Sequence, residues 1–103
     1  MKLTELFNDP SLPALEISAI YTDSRKVTPG SLFIAVKGLT VDGHHFAAQA
    51  VSRGAVALLL AHPLPRLNVA QIIRPHPEQL VGPLCALLYQ TATNGLQYIG
   101  VTG

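Results

Sequence analysis

Asp23-Ser24-Arg25 is the first group of side chains with evident chemistry, and it follows directly on the apolar run Ile17 to Tyr21. The Ser24 hydroxyl both donates and accepts, which suits the edge of a base or a sugar. Arg25 offers a planar fork suited to a carboxylate or a phosphate. Turn chemistry alone accounts for the same residues, with Asp23 capping a turn and Ser24 supporting it. A second polar loop, Gly38-Leu39-Thr40-Val41-Asp42-Gly43-His44, lies between an apolar run and a helical pattern. Gly38 would let the backbone approach a ligand closely, and Asp42 would serve as a helix cap. In open α/β sheets ligands sit beyond the carboxyl ends of the strands, so the two loops are expected to converge on one crevice.

Other reactive side chains are less suggestive. His44 and His45 are adjacent, so a helix would splay them apart, and His62 and His76 lie near prolines. Ligand spacings for zinc are absent. Ser24, His44 and Asp42 could be imagined as a triad. There is no nucleophile elbow, however, and Asp42 and His44 are too close in sequence for an easy orienting role. The lone Cys85 sits between Leu84 and Ala86-Leu87-Leu88, which predicts a core position rather than a reactive thiol. Tyr98-Ile99-Gly100-Val101 reads as a short strand running into Thr102-Gly103. A strand that meets a glycine is how a phosphate-binding loop begins, and Gly103 would be the first glycine of G-x-x-x-x-G-K-[ST]. That reading predicts the front domain of a longer nucleotide-using enzyme. Thr93-Asn94-Gly95 reads instead as a helix stop.

The elements that must position these loops follow from the apolar pattern. Leu3 to Asn8 is a short amphipathic helix, ended by Asp9-Pro10. Strands are predicted at Ile17 to Tyr21, Ser31 to Val36, Ala55 to Leu60, Val69 to Ile73 and Tyr98 to Val101. The Ala55 to Leu60 run is continuously apolar, as in strands buried on both faces. A helix is expected over His45 to Arg53, with Phe46, Ala50 and Val51 inward and Gly54 as its stop. A second helix runs from Pro77 to Thr91 on the stripe Leu80, Val81, Leu84, Leu87 and Leu88. Gly82-Pro83 should kink it or mark its real start. Helices between apolar strands imply crossovers, hence an α/β fold with a small mixed, largely parallel sheet and helices packed on it.

The chain has 103 residues, which suits one domain. Charged residues are only 13%, so part of the surface is expected to be covered by a neighbour. The net charge is +1 with scattered Lys and Arg, which argues against a nucleic-acid binder. No signal peptide is evident, and the longest apolar run is too short to span a bilayer, so a cytoplasmic domain with no membrane partner is expected.

Taken together, Thr22-Asp23-Ser24-Arg25-Lys26-Val27-Thr28-Pro29-Gly30-Ser31-Leu32-Phe33-Ile34-Ala35-Val36-Lys37-Gly38 resembles the N-terminal signature of the Mur ligases of peptidoglycan synthesis. Val41-Asp42-Gly43-His44-His45-Phe46 and Gln49-Ala50 through Gly54-Ala55 continue it, and Ile99 to Gly103 is similar to the segment that runs into the family's ATP loop. The resemblance implies that residues 1–98 bind the UDP end of a UDP-N-acetylmuramoyl peptide and that residues 99–103 open an ATP-binding central domain. It implies that Thr22 and Ser24 contact the uridine, that Leu39, Thr40 and Val41 form the second uracil-side loop, and that Asp23, Arg25, Gly38, Asp42 and His44 support the two loops. It also implies a diphosphate over the helix start near His44, and ATP and Mg²⁺ acting in the full-length enzyme through groups outside this chain. The chain alone would hold substrate without catalysing amide formation. Leu39 to His44 and Leu88-Tyr89 look more like the members that add the third peptide residue (diaminopimelate or lysine) than those that add D-Ala-D-Ala. A stand-alone UDP-sugar-binding regulatory module is the reading without an enzyme.

Overall fold

The structure is a computed structural model and describes residues 1–36 and 43–93. The stretch 94–103 and the loop 37–42 lie outside the described residues. The expected final strand, the helix stop at Thr93-Asn94-Gly95, and Gly38, Leu39, Thr40, Val41, Asp42 and Gly103 therefore fall wholly or partly there.

Helix α1 (Leu3–Leu6) opens the chain, followed by strand β1 (Ala19–Tyr21). Strand β2 (Ser31–Ile34) leads through a 3₁₀ turn at Gly43–Phe46 into helix α2 (Ala47–Ser52). Strands β3 (Ala57–Leu60) and β4 (Ala70–Ile73) follow, then a 3₁₀ turn at Pro77–Leu80 and helix α3 (Val81–Thr93). The strands form one four-stranded sheet in the order β1-β2-β3-β4, and every described pair is parallel. This is the α/β, largely parallel sheet that the apolar pattern predicts. The N-terminus adds an antiparallel bridge between Lys2 and Glu16, which ties α1 to the segment before β1.

Strand alternation divides the core in two. Leu32, Ile34, Ala57 and Leu59 share one face with Leu3, Leu6, Leu84 and Leu88 from α1 and α3. Phe33, Ala35, Leu58 and Leu60 share the other with Ala47 and Ala50 from α2 and with Val27. Every residue of β2 and β3 is buried. A side-chain period of two on strands covered from both sides produces this partition. The small Ala47 and Ala50 let α2 lie close against the sheet.

Four expectations need correction. Phe46 is 41% exposed rather than inward. It belongs to the 3₁₀ turn, whose three residues per turn aim it differently from an α-helical position. Leu87 is 39% exposed, because Leu84 and Leu88 already fill the face of α3 that meets the sheet. Cys85 is half-buried at the edge of the first core, and its burial pushes the thiol pKa up, which disfavours the reactive thiolate. Pro83 does not start α3, which begins at Val81. It sits within the first turn, where its missing N–H has no helical partner to lose.

Two connections are shaped by polar side chains rather than helices. Between β3 and β4, Gln71 accepts from the Leu64 N–H at 2.9 Å and donates to the Leu64 and Leu67 carbonyls at 2.8 and 3.1 Å. One amide thus fixes the turn that a crossover helix would otherwise provide. At the outer strand, Ile20 donates its N–H to the Tyr89 hydroxyl at 3.0 Å, and that hydroxyl lies 3.4 Å from the Ile20 carbonyl. This holds α3 against β1.

The loop after β1 is seated by a backbone approach. Gly54 has φ +113°, and a Cβ there would lie 2.6 Å from the Pro29 Cα. Gly30 donates to the Gly54 carbonyl at 3.0 Å. Gly54→Ala is expected to cost about 2 kcal/mol or more through backbone strain and this overlap. The melting temperature should fall by roughly 8–15 °C. Gly82 meets nothing within 4 Å, so Gly82→Ala should be neutral or raise stability by about 0.5 kcal/mol. Thermal unfolding of both variants, followed by circular dichroism, checks the contrast.

Candidate functional site

The polar residues after β1 form a short 3₁₀ turn, Ser24–Lys26. Asp23 stands at its N-cap and accepts from the Arg25 N–H at 3.0 Å. The same carboxylate pairs with the Arg25 guanidinium through Nε at 3.1 Å and Nη2 at 3.0 Å. The Arg25 side chain is 80% exposed, so this pair shapes the loop and adds little to global stability. The Arg25 side chain, bonded to the Asp23 carboxylate, holds that carboxyl below the usual aspartate range, and the backbone bond lowers it further. The same contact raises the Arg25 pKa.

Ser24 behaves differently. It is 4% exposed, and its hydroxyl donates to the Gln49 Oε1 of α2 at 2.6 Å. This bond joins the loop to the helix. Thr22, Asp23, Ser24 and Arg25 then line an open cleft of about 320 Å³ together with Phe46 and Gln49. The cleft lies just past the carboxyl end of β1, where ligands bind in open α/β sheets. Its walls combine one exposed aromatic ring, a carboxylate, a guanidinium, a hydroxyl and a primary amide. Such a set suits a small planar polar group with an anionic extension.

The structure gathers four of the sequence-predicted residues, Thr22 to Arg25, in that cleft. It does not bring His44 into its lining. His44 faces the other side of α2, where its Nε2 accepts from the Ala61 N–H at 3.0 Å and its ring stacks on His62 with centroids 4.1 Å apart. There it borders a second, mostly apolar cleft with Ala48, Leu64, Pro65, Arg66 and Leu67. The expected helix start near His44 is a 3₁₀ turn, and α2 proper spans Ala47–Ser52, too short to present a strong dipole to a diphosphate. Leu39, Thr40, Val41, Gly38 and Asp42 lie outside the described residues. Sequence reasoning missed Phe46 and Gln49 as cleft residues. Their spacing of three is the available signal, since it sets both on one side of a helical turn.

Among the described residues no three His, Cys, Asp or Glu side chains are grouped to hold a metal ion. None of their helices is long and apolar enough to cross a membrane.

Residues 16–81 match the family model described as "Mur ligase family, catalytic domain". A UDP-N-acetylmuramoyl-L-alanyl-D-glutamate--2,6-diaminopimelate ligase of Geobacillus thermodenitrificans is 50% identical over 88 residues, covering 85% of this chain and 18% of that protein. Among solved structures, the UDP-N-acetylmuramoylalanyl-D-glutamyl-2,6-diaminopimelate--D-alanyl-D-alanyl ligase of Acinetobacter baumannii superposes with TM-score 0.62 at 34% identity. It covers 68% of this chain and 16% of that one. The MurF ligase of Thermotoga maritima in complex with ADP gives TM-score 0.58 at 26% identity, over 71% of this chain and 17% of its own. The chain spans about a fifth of the length of the curated relatives it matches.

Because the Asp23 carboxylate has a lowered pKa, its pairing with Arg25 is present above the usual aspartate range and is lost as the pH falls through the lower folded value. The Arg25 amide resonance should therefore shift below about pH 4 and stay constant above it. Asp23→Asn retains a capping side chain and should abolish that titration. An NMR pH titration of both proteins checks it.

Proposed function

Because the chain belongs to the Mur ligase family, we propose that it binds the UDP end of UDP-N-acetylmuramoyl-L-alanyl-D-glutamate within an ATP-dependent ligase that adds the third peptide residue. The observation that carries this reading is the cleft. The motif residues Thr22 to Arg25 share one concavity with Phe46 and Gln49 of the turn and helix behind it. In this reading Thr22 and Ser24 contact the uridine, and Leu39, Thr40 and Val41 supply backbone groups from the second loop. Asp23 shapes the turn. Arg25, exposed and already oriented by Asp23, lies at hand for the diphosphate. Uracil discrimination comes from polar groups that another base would leave unpaired.

Residues 1–98 would form the substrate-binding domain, and residues 99–103 would lead into the ATP-binding domain. The amide-forming step, with ATP and Mg²⁺, belongs to other parts of the ligase. The chain's contribution is orientation, which brings a remote carboxylate to the reacting centre. The 50% identity to a diaminopimelate-adding enzyme favours that type. The 34% identity to a D-alanyl-D-alanyl-adding structure keeps that type as the second reading.

The test is a ¹⁵N–¹H NMR titration of this chain with UDP-N-acetylmuramoyl-L-alanyl-D-glutamate, with UDP and ADP as controls. Expected shifts cluster at Thr22 to Arg25, Phe46 and Gln49, with UDP and not with ADP. No shifts at millimolar UDP, or equal shifts with ADP, contradict a uridine site. In the full-length ligase Ser24→Ala should raise KM for the UDP substrate about tenfold while kcat stays nearly constant. A loss confined to kcat contradicts a binding role.

A further inference from the structure

We propose that Gln49 is a positioning residue that fixes the hydrogen-bonding polarity of Ser24 and so makes the cleft select uracil over cytosine. The inference rests on the uridine-site reading above and goes further, to a residue outside the motif. A serine hydroxyl is ambivalent, with one proton to give and two lone pairs to offer. The Gln49 Oε1 is an acceptor only, and it takes the Ser24 proton at 2.6 Å. Ser24 is 4% exposed, so bulk water does not readily replace that partner. Among the described residues nothing donates to the Ser24 Oγ, and its acceptor capacity remains for the cleft that Ser24 lines.

An acceptor-only oxygen must meet a donor on the ligand. The N3 of uracil carries a hydrogen and donates. The N3 of cytosine carries none and accepts, so it would confront the Ser24 lone pairs with no proton between them. Uracil is thereby favoured by the direction of a bond the protein makes with itself. The motif serine supplies the contact, and Gln49 supplies its sign. Gln49 reaches Ser24 because Gly54, at the far end of α2, lets Pro29 approach its backbone and so seats the loop against the helix.

The experiment is the ratio of dissociation constants for UDP and CDP, measured by NMR titration of the 103-residue chain, for wild type, Gln49→Met and Gln49→Glu. Methionine keeps the volume and removes the acceptor, so the Ser24 hydroxyl is free to turn and donate. Glutamate keeps an acceptor, and any repulsion it adds toward phosphate acts on both nucleotides and cancels in the ratio. Wild type should prefer UDP at least tenfold, matching the cost of one unpaired buried polar group. Gln49→Met should bring the ratio within about threefold, and Gln49→Glu should restore most of the preference. A merely structural Gln49 would weaken both nucleotides together and leave the ratio unchanged, which overturns the proposal. Equal binding of UDP and CDP by wild type, with shifts in the cleft, overturns it while the nucleotide site stands. Absence of any UDP binding overturns both. Should Gln49→Met fail to fold, loss of discrimination in Gln49→Glu is sufficient to reject it.

Discussion

Parallel strands packed from both sides leave a sheet without a free face, and the rest of this molecule follows from that. Leu32, Ile34, Ala57 and Leu59 are used by one core, and Phe33, Ala35, Leu58 and Leu60 by the other. No position in the middle of β2 or β3 is available for chemistry, since all are buried. Polar side chains can gather only beyond the strand ends. Among the described residues a polar cleft lies past β1 and a mostly apolar one beside the β3–β4 connection, and the start of α2 stands between them. Phe46 and Gln49 look one way from that start, while His44 and Ala48 look the other.

The site is held by short-range geometry on one side and a single long-range approach on the other. Asp23 builds its turn from neighbours two residues away. Ser24, by contrast, meets Gln49 across the interface between loop and helix. That interface exists because α2 ends in a glycine with a conformation other residues avoid, so the Pro29 backbone can lie directly against it. Strain is avoided at one end of the helix, and a polar contact is formed near the other. A rigid sheet edge with one well-seated loop suits the orienting role proposed above.

Much of this was legible in the residues. The β3 strand was plain because seven consecutive apolar residues, bounded by Gly54 and His62-Pro63, fit a doubly covered strand. Gly54 as a stop and Asp23 as a turn cap follow from local backbone preference, and both stand in the structure. Phe46 and Leu87 went the other way, since periodicity tells which residues share a face but not how wide the covered face is. The 3₁₀ geometry at Gly43–Phe46 breaks the α-helical spacing on which the reading depended. The Ser24–Gln49 bond and the His44–His62 stack were hidden for a different reason. Each joins residues far apart in sequence through backbone paths that only the folded chain defines. A glutamine on a short helix reads as solvated until the loop across from it is placed.

Tyr89 also bears on how the domain coexists with other copies of itself. Strand β1 is the outer strand of the described sheet and has three residues. Alternation turns the backbone of its middle residue, Ile20, away from β2, and the Tyr89 hydroxyl lies within hydrogen-bonding reach of both the N–H and the carbonyl there. An uncovered edge is a template on which a foreign strand can add, and extended edges of this type promote aggregation. Here one phenol closes the template from above, by a group that is neither a strand nor a charge. The side chain that fastens α3 to the sheet therefore also caps the outward backbone groups of the strand it rests on.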